Sequence, residues 1–199
     1  MEPLSEDEED IQLMLRTRDG DLDAFSILFH RHRKWVEQFL YRLFWRREKA
    51  EDGTQEVFMR LWSARAGYRP CARFTTFLYQ VARNYWRDEM RKAQVRPVEV
   101  DLDAGDDSGA IRRELRAPFS AEPQERLFEK YRQWRIRQAI SRLPEPYRIV
   151  FVLAHFEDRR ISEIAAILEI PEGTVKSRLH TAARRLRDWL MCEEKTGMW

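Results

Sequence analysis

Residues 160–190 read RISEIAAILEIPEGTVKSRLHTAARRLRDWL, and this stretch decides the fold. Ile161, Ile164, Ala165 and Leu168 recur at the spacing of a one-faced helix. Glu169-Ile170 makes a tight turn, and Pro171 stands where a first helical residue tolerates a missing N–H. In the following helix Val175, Leu179, Ala182, Leu186 and Leu190 form one apolar stripe. Between Gly173 and Arg187 there are five Lys/Arg and no acidic residue. At about 100° per residue, Ser177, His180, Thr181 and Arg184 point away from the stripe. Helix, turn and basic helix with small polar tips is the helix-turn-helix arrangement for entering a major groove.

Working outward, 199 residues suit one large or two small domains. Seven glycines and eight prolines are few, so the chain is expected to be all-α. The net charge is only +2 although 35% of residues are charged, so the information lies in the charge pattern. Residues 1–10 hold six acidic groups and no basic one, and Glu99 to Asp107 hold five, again unopposed. Cys71 and Cys192 are the only cysteines, which suggests a reducing compartment rather than a disulfide framework. No run approaches the ~18 apolar residues of a membrane span, and an acidic N-terminus is unlike a signal peptide. A cytoplasmic protein without membrane insertion is expected.

The pattern divides the chain into an acidic tail (1–10), a helical domain (11–92), a linker (93–124), a second helical domain (125–192) and a short tail (193–199). In the first domain a short helix begins at Ile11–Leu15, and Asp21 or Asp23 is placed to cap the next. Phe25, Leu28, Phe29, His32, Val36, Phe39, Leu40 and Leu43 line one side of that second helix. Further helices are expected near Ala50–Ala64 and over Phe74–Lys92, separated by a Gly/Pro loop at 65–73. From 93 to 123 periodicity collapses into Pro, Gly and acidic residues, a composition suited to a flexible acidic linker. Helical pattern returns at 125, and Pro144 opens a helix expected to run to Phe156. Two small helical domains on a tether, the second containing the helix-turn-helix, is the expected fold.

On the 50–64 helix, Thr54, Phe58, Leu61 and Trp62 make the buried stripe, with Val57 beside it. Asp52, Glu56, Met59 and Ser63 share another face, flanked by Gln55. Carboxylates around a methionine on a rigid helix suit an arginine-bearing protein partner; they equally suit a solvated face. On the 74–92 helix, Phe74, Phe77, Leu78, Val81, Ala82 and Tyr85 form the core stripe, while Tyr79 and Trp86 lie about 120° away beside Arg83. Six aromatics interleave with basic residues between Tyr68 and Trp86, as single-stranded nucleic acid binding requires. Asn84 is placed to hydrogen-bond a base drawn out of the stack. The competing reading packs Tyr79 and Trp86 against a neighbouring helix.

Little points to an enzyme. His30 and His32 are two apart and do not face each other on a helix, and neither His155 nor His180 groups with the cysteines at zinc-like spacing. Phosphate-loop, nucleophile-elbow and zinc-protease motifs are absent from the sequence. No catalytic residue, metal or cofactor is expected.

The order of these pieces resembles the bacterial RNA polymerase sigma factors of the sigma-70 family's extracytoplasmic-function group, across nearly all of residues 11–190. Residues 52–62 (DGTQEVFMRLW) look like the region 2.2 helix that docks on the polymerase clamp. Residues 73–92 (RFTTFLYQVARNYWRDEMRK) look like regions 2.3 and 2.4, which melt and read the −10 element. Residues 143–187 look like region 4, which reads the −35 element, and residues 173–180 (GTVKSRLH) are its most specific part.

The resemblance implies a stress-response sigma factor, an alternative initiation factor that binds core RNA polymerase at clamp and flap and recognises promoter DNA. By position it implies core contacts for Asp52, Gln55, Glu56 and Phe58, the last structural. It implies that the loop Tyr68–Arg73 and the helix around Tyr79, Arg83 and Asn84 hold a flipped −10 base. It implies −35 contacts from Lys176, Ser177, Arg178, His180 and Thr181; on the helical wheel Lys176 and Arg178 flank the outer face and suit phosphates. An anti-sigma factor is an implied partner, and the linker is expected to thread the polymerase cleft with its carboxylates mimicking phosphate.

Three positions depart from the family pattern. Gly53 replaces a better helix former, at about 1 kcal/mol. Phe77 stands where tryptophan is common. Glu169 stands where the turn often has glycine, and a left-handed conformation there costs about 1–2 kcal/mol. The rival readings are a stand-alone helix-turn-helix repressor or activator, which leaves residues 52–62 and 68–86 without a role, and a helical metalloenzyme, which predicts bound metal.

Overall fold

The computed structural model describes residues 5–95 and 123–195. Eight α-helices make up these residues: α1 Glu6–Arg18, α2 Leu22–Phe44, α3 Arg47–Ala64, α4 Phe74–Val95, α5 Pro123–Ser141, α6 Glu145–His155, α7 Ile161–Leu168 and α8 Glu172–Lys195, with a 3-10 turn at Arg65–Gly67 after α3. No strand occurs among them, and none of these helices is long and apolar enough to cross a membrane. The expected acidic linker falls almost wholly outside the described residues.

The first four helices form one unit. α1 starts earlier than its apolar pattern suggested, because Ser5 and Glu8 form a reciprocal capping box. Residues expected to be an acidic tail thus form its first turn, where negative charge complements the helix dipole. Asp10 is buried and held by Arg31 at 2.6 Å and His32 at 2.8 Å. Asp21 caps α2, accepting from the N–H groups of Asp23 and Ala24 at 2.9 and 3.0 Å. From α2, Leu28, Val36, Phe39, Leu40 and Leu43 enter the core, meeting Val57, Phe58 and Leu61 of α3 and Phe74, Leu78 and Ala82 of α4.

At Gly53, α3 passes directly against Tyr85 of α4 and Leu40 of α2. A Cβ there would lie 2.6 Å from Tyr85 Cε1 and 3.0 Å from Leu40 Cδ1. The missing Cβ is what permits the approach, and the lower helix propensity of glycine is its cost.

The second unit is α5–α8. Pro144 is the residue before α6, one position earlier than expected, and its carbonyl accepts from the N–H groups of Tyr147 and Arg148 at 3.0 Å. Ile149, Val150, Val152 and Leu153 of α6 pack with Ile164, Ile167 and Leu168 of α7 and Val175 of α8. Pro171 likewise precedes α8. Between α7 and α8, Glu169 adopts the left-handed conformation (φ 56°, ψ 43°), so the expected strain is present. The N–H groups of Glu169 and Ile170 satisfy the carbonyl of Ala165 in compensation.

The two units are packed together rather than held apart. Their buried side chains form one continuous set. Arg148, in α6, donates to the carbonyls of Ser141 and Leu143 in its own unit and, at 3.3 Å, to that of Leu43 at the end of α2. Burial pushes its guanidinium down from the ordinary arginine value, and it lies over the Trp86 ring.

Candidate nucleic-acid interface

Three surfaces collect the residues singled out in the sequence. The first is the outer face of α8. Val175 and Ala182 are buried and Leu179 and Leu186 partly so, which turns Lys176, Ser177, His180 and Arg184 to solvent. Arg178 and Thr181 are half-buried on the flanks. Ser177 Oγ donates to the Thr174 carbonyl at 3.0 Å, which fixes the hydroxyl and leaves its lone pairs outward. Arg185 turns back over the Tyr147 ring at 5.0 Å and takes no part in the outer face.

The second is the face of α3 bearing Asp52, Gln55, Met59 and Ser63, all exposed. Met59 is 64% exposed, a large apolar side chain with nothing over it. Glu56 is less available: Arg60 Nε donates to it at 2.9 Å, and the same guanidinium donates to Asp88 at 2.7 Å. Those two hydrogen bonds, Asp88 first, hold the Arg60 pKa above its ordinary value. Phe58 is buried edge-on against Phe29 at 4.9 Å, a core residue rather than a contact.

The third is α4 with its preceding loop, and here the packing alternative holds for Tyr79 and Trp86, which do not form an open stacking platform. Tyr68 is buried with its ring 5.2 Å from Phe77, and burial pushes its phenol up to about 12. Tyr79 is 1% exposed and Trp86 fully buried. Trp35 meets Tyr79 edge-on at 4.3 Å and Phe39 meets it at 5.0 Å. The Tyr79 hydroxyl donates to Glu157 at 2.8 Å and accepts from Trp35 Nε1 at 3.1 Å and Arg159 Nε at 3.3 Å. Burial, then the Glu157 charge, pushes its pKa far above the ordinary phenol value. The physical reason is packing from both units: Trp35 and Phe39 of α2 close on Tyr79 from within the first unit, and from the second Glu157 and Arg159 reach Tyr79 while Arg148 of α6 lies over Trp86.

Arg83 and Asn84 lie at the rim of this contact. Arg83 donates to the Ile167 carbonyl at 3.1 Å and to Asn84 Oδ1 at 2.9 Å, and pairs with Glu169 at 3.5 Å. Burial, then Arg87, lowers its pKa. Asn84 keeps its amide N–H groups at a half-exposed position. Arg73 is exposed and lies between Asp7 at 3.2 Å and Glu163 at 3.6 Å.

Sequence reasoning missed Arg42 and Glu157, which form the centre of this arrangement. Arg42 Nη1 donates to Glu157 Oε1 at 2.5 Å and to the Phe156 carbonyl at 3.0 Å. A signal for Arg42 existed: it follows Trp35 by two turns and Phe39 by one, on a face that is otherwise apolar. Glu157 carried none, since its partners are far away in sequence.

Comparison with known proteins agrees with this organisation. The family described as sigma-70 region 2 matches residues 28–96, and that described as sigma-70, region 4 matches residues 133–186. The ECF RNA polymerase sigma factor SigW of Bacillus subtilis is 30% identical over 175 residues, covering 88% of this chain and 93% of its own. The ECF RNA polymerase sigma-E factor of Escherichia coli is 31% identical over 183 residues, covering 90% and 93%. Among solved structures, CnrH in complex with the cytosolic domain of CnrY shares the fold, with a TM-score of 0.64 at 22% identity over 92% of this chain and 98% of that one.

Proposed function

We propose that this chain, which belongs to the sigma-70 family of bacterial RNA polymerase sigma factors in its extracytoplasmic-function group, reads promoters in two parts while attached to core polymerase. It is an alternative sigma factor that initiates transcription. The finer assignments are ours. α8 lies in the major groove of the −35 element, with Ser177, His180 and Thr181 toward base edges and Lys176 and Arg178 toward phosphates. The α3 face of Asp52, Gln55 and Glu56 around Met59 meets the polymerase clamp, with Phe58 holding the helix in place. On α4, Asn84 reads a flipped −10 base beside Tyr79, Arg83 and, just before the helix, Arg73 neutralise phosphates, and Tyr68 fixes the loop.

The observation that carries this reading is the outer face of α8 between Gly173 and Arg187, where the exposed Lys176, His180 and Arg184 stand with no acidic residue in the interval. A stand-alone regulator would use that face alone and leave the α3 face idle. The chain works in the cytoplasm, where core polymerase is, and an anti-sigma protein is a partner suggested by the complexes in which its structural neighbours occur. Transcription in vitro with purified core polymerase and genomic templates tests the proposal: specific start sites are expected only when core and chain are both present, and their absence would refute it.

A further inference from the structure

The outer face of α5 belongs to none of the surfaces assigned to the promoter elements or to the clamp. Tyr131 and Trp134, one turn apart on this helix, are 47% and 48% exposed. Their rings form a stack, 23° from parallel with centroids 5.9 Å apart. The Arg135 guanidinium stands over the Tyr131 ring at 6.0 Å, and its Nη2 donates to the Leu190 carbonyl at 3.0 Å, which ties this part of α5 to the end of α8. There the Arg142 guanidinium lies over the Trp189 ring at 4.9 Å, beside the exposed Met191. Aromatic rings and guanidiniums thus line the seam between α5 and α8 over about 15 Å of helix.

We propose that this seam is a second, sequence-independent binding site for a single-stranded polynucleotide, with Tyr131 and Trp134 as its stacking platform. Charge selects the occupant. After Glu129 the chain has no acidic residue from Lys130 to Pro144, and five Lys/Arg. Two copies of so basic a face repel one another, so a second copy of this chain does not pair there. An acidic peptide would meet the cations and leave the ring faces unused. A single strand uses both: its bases continue the Tyr131–Trp134 stack, and its phosphates meet the exposed Arg132 together with Arg135 and Arg142. A duplex has no free base face to offer, which separates this site from the groove-reading face of α8. In a transcribing complex the strand is either the new transcript or a displaced DNA strand, and the stacking chemistry is common to both.

The test titrates the full chain with fluorescent oligo-uridine and oligo-thymidine of about 20 nucleotides, homopolymers without a −10 sequence, and reads binding by anisotropy. The double variant Tyr131→Ala/Trp134→Ala is expected to bind both about tenfold or more weakly, and Tyr131→Phe/Trp134→Phe, which keeps the rings, to bind like the parent. Thermal unfolding checks that each variant is folded; Trp134→Ala alone serves should the double variant not be. In the reconstituted holoenzyme, 4-thiouridine in the transcript and 4-thiothymidine in the non-template DNA strand distinguish the source, and one of them is expected to crosslink to the segment 131–135. Unchanged oligonucleotide affinity in the folded alanine variants overturns the proposal. A loss of core-polymerase affinity in its place makes the seam a protein contact and overturns it equally, as does the absence of a crosslink from both strands. Failure of the parent chain to join core polymerase would count against the sigma-factor reading, while the oligonucleotide titration would still decide the platform.

Discussion

The hydroxyl of Tyr79 donates to the carboxylate of Glu157 at 2.8 Å, joining two residues of opposite units through a buried network that also includes Trp35, Arg42 and Arg159. Tyr79 is thereby a core residue held from both units, by Trp35 and Phe39 of its own and by Glu157 and Arg159 of the other.

Alkali acts on this network. Burial and the Glu157 charge raise the Tyr79 phenol, and burial pushes Tyr68, which lies outside the network, up to about 12, against an ordinary phenol value of 10.0. Both groups bind their proton more tightly when folded, so their contribution is fully present below about pH 10 and is lost as pH rises toward 12. Urea midpoints are expected to hold to pH 9 and fall steeply between about pH 10 and 12, with phenolate absorbance of these two tyrosines appearing only with unfolding.

Gly53→Ala is expected to destabilise the chain although alanine favours helix by about 1 kcal/mol. The new Cβ would sit 2.6 Å from Tyr85 Cε1, and overpacking of this kind costs about 1–3 kcal/mol. Urea unfolding checks the sign; a gain in midpoint would show that the Tyr85 ring moves aside freely.

Glu169→Gly is expected to stabilise the second unit by about 1 kcal/mol, since glycine adopts φ 56° without a Cβ clash. The ion pair with Arg83 that it removes is long, at 3.5 Å, and largely exposed on the Glu169 side, so it subtracts little. Thermal unfolding of the full chain measures the difference.

At the −35 element, Ser177→Ala or His180→Ala is expected to weaken recognition by about 1–3 kcal/mol for the base that the side chain reads, and at that base only. Lys176→Ala is expected to weaken binding to all sequences and to reduce the salt dependence by about one ion. Binding to a panel of single-base promoter variants at several salt concentrations separates the two.

On α3, Glu56→Arg reverses a charge on the proposed clamp face and removes a partner of Arg60. Association with core polymerase, followed by native gel or light scattering, is expected to weaken about tenfold or more, with DNA binding by α8 retained.

What could be seen in the sequence was carried by local period and charge. The helix-turn-helix was legible because Ile161, Ile164 and Leu168 recur in helical phase and the next helix concentrates its cations. Phe58 was legible as structural from its stripe alone. The start of α1 was missed because the Ser5–Glu8 box precedes the apolar pattern. Tyr79 and Trp86 were placed correctly on a second face of α4, but what covers that face is a turn and helix that arrive from the other end of the chain. Glu157 shows why: its donors are 78 to 122 residues away, and no local spacing records such a pairing.

The chain is expected to open promoter DNA only as part of a polymerase. Permanganate footprinting of a supercoiled promoter template, with chain alone, core alone and both together, tests it most directly. Reactive, unpaired thymines around the −10 element are predicted only with both, and are predicted to vanish with Asn84→Ala while core association persists. Protection of duplex by the chain alone, with core adding no reactive thymine, would contradict the claim.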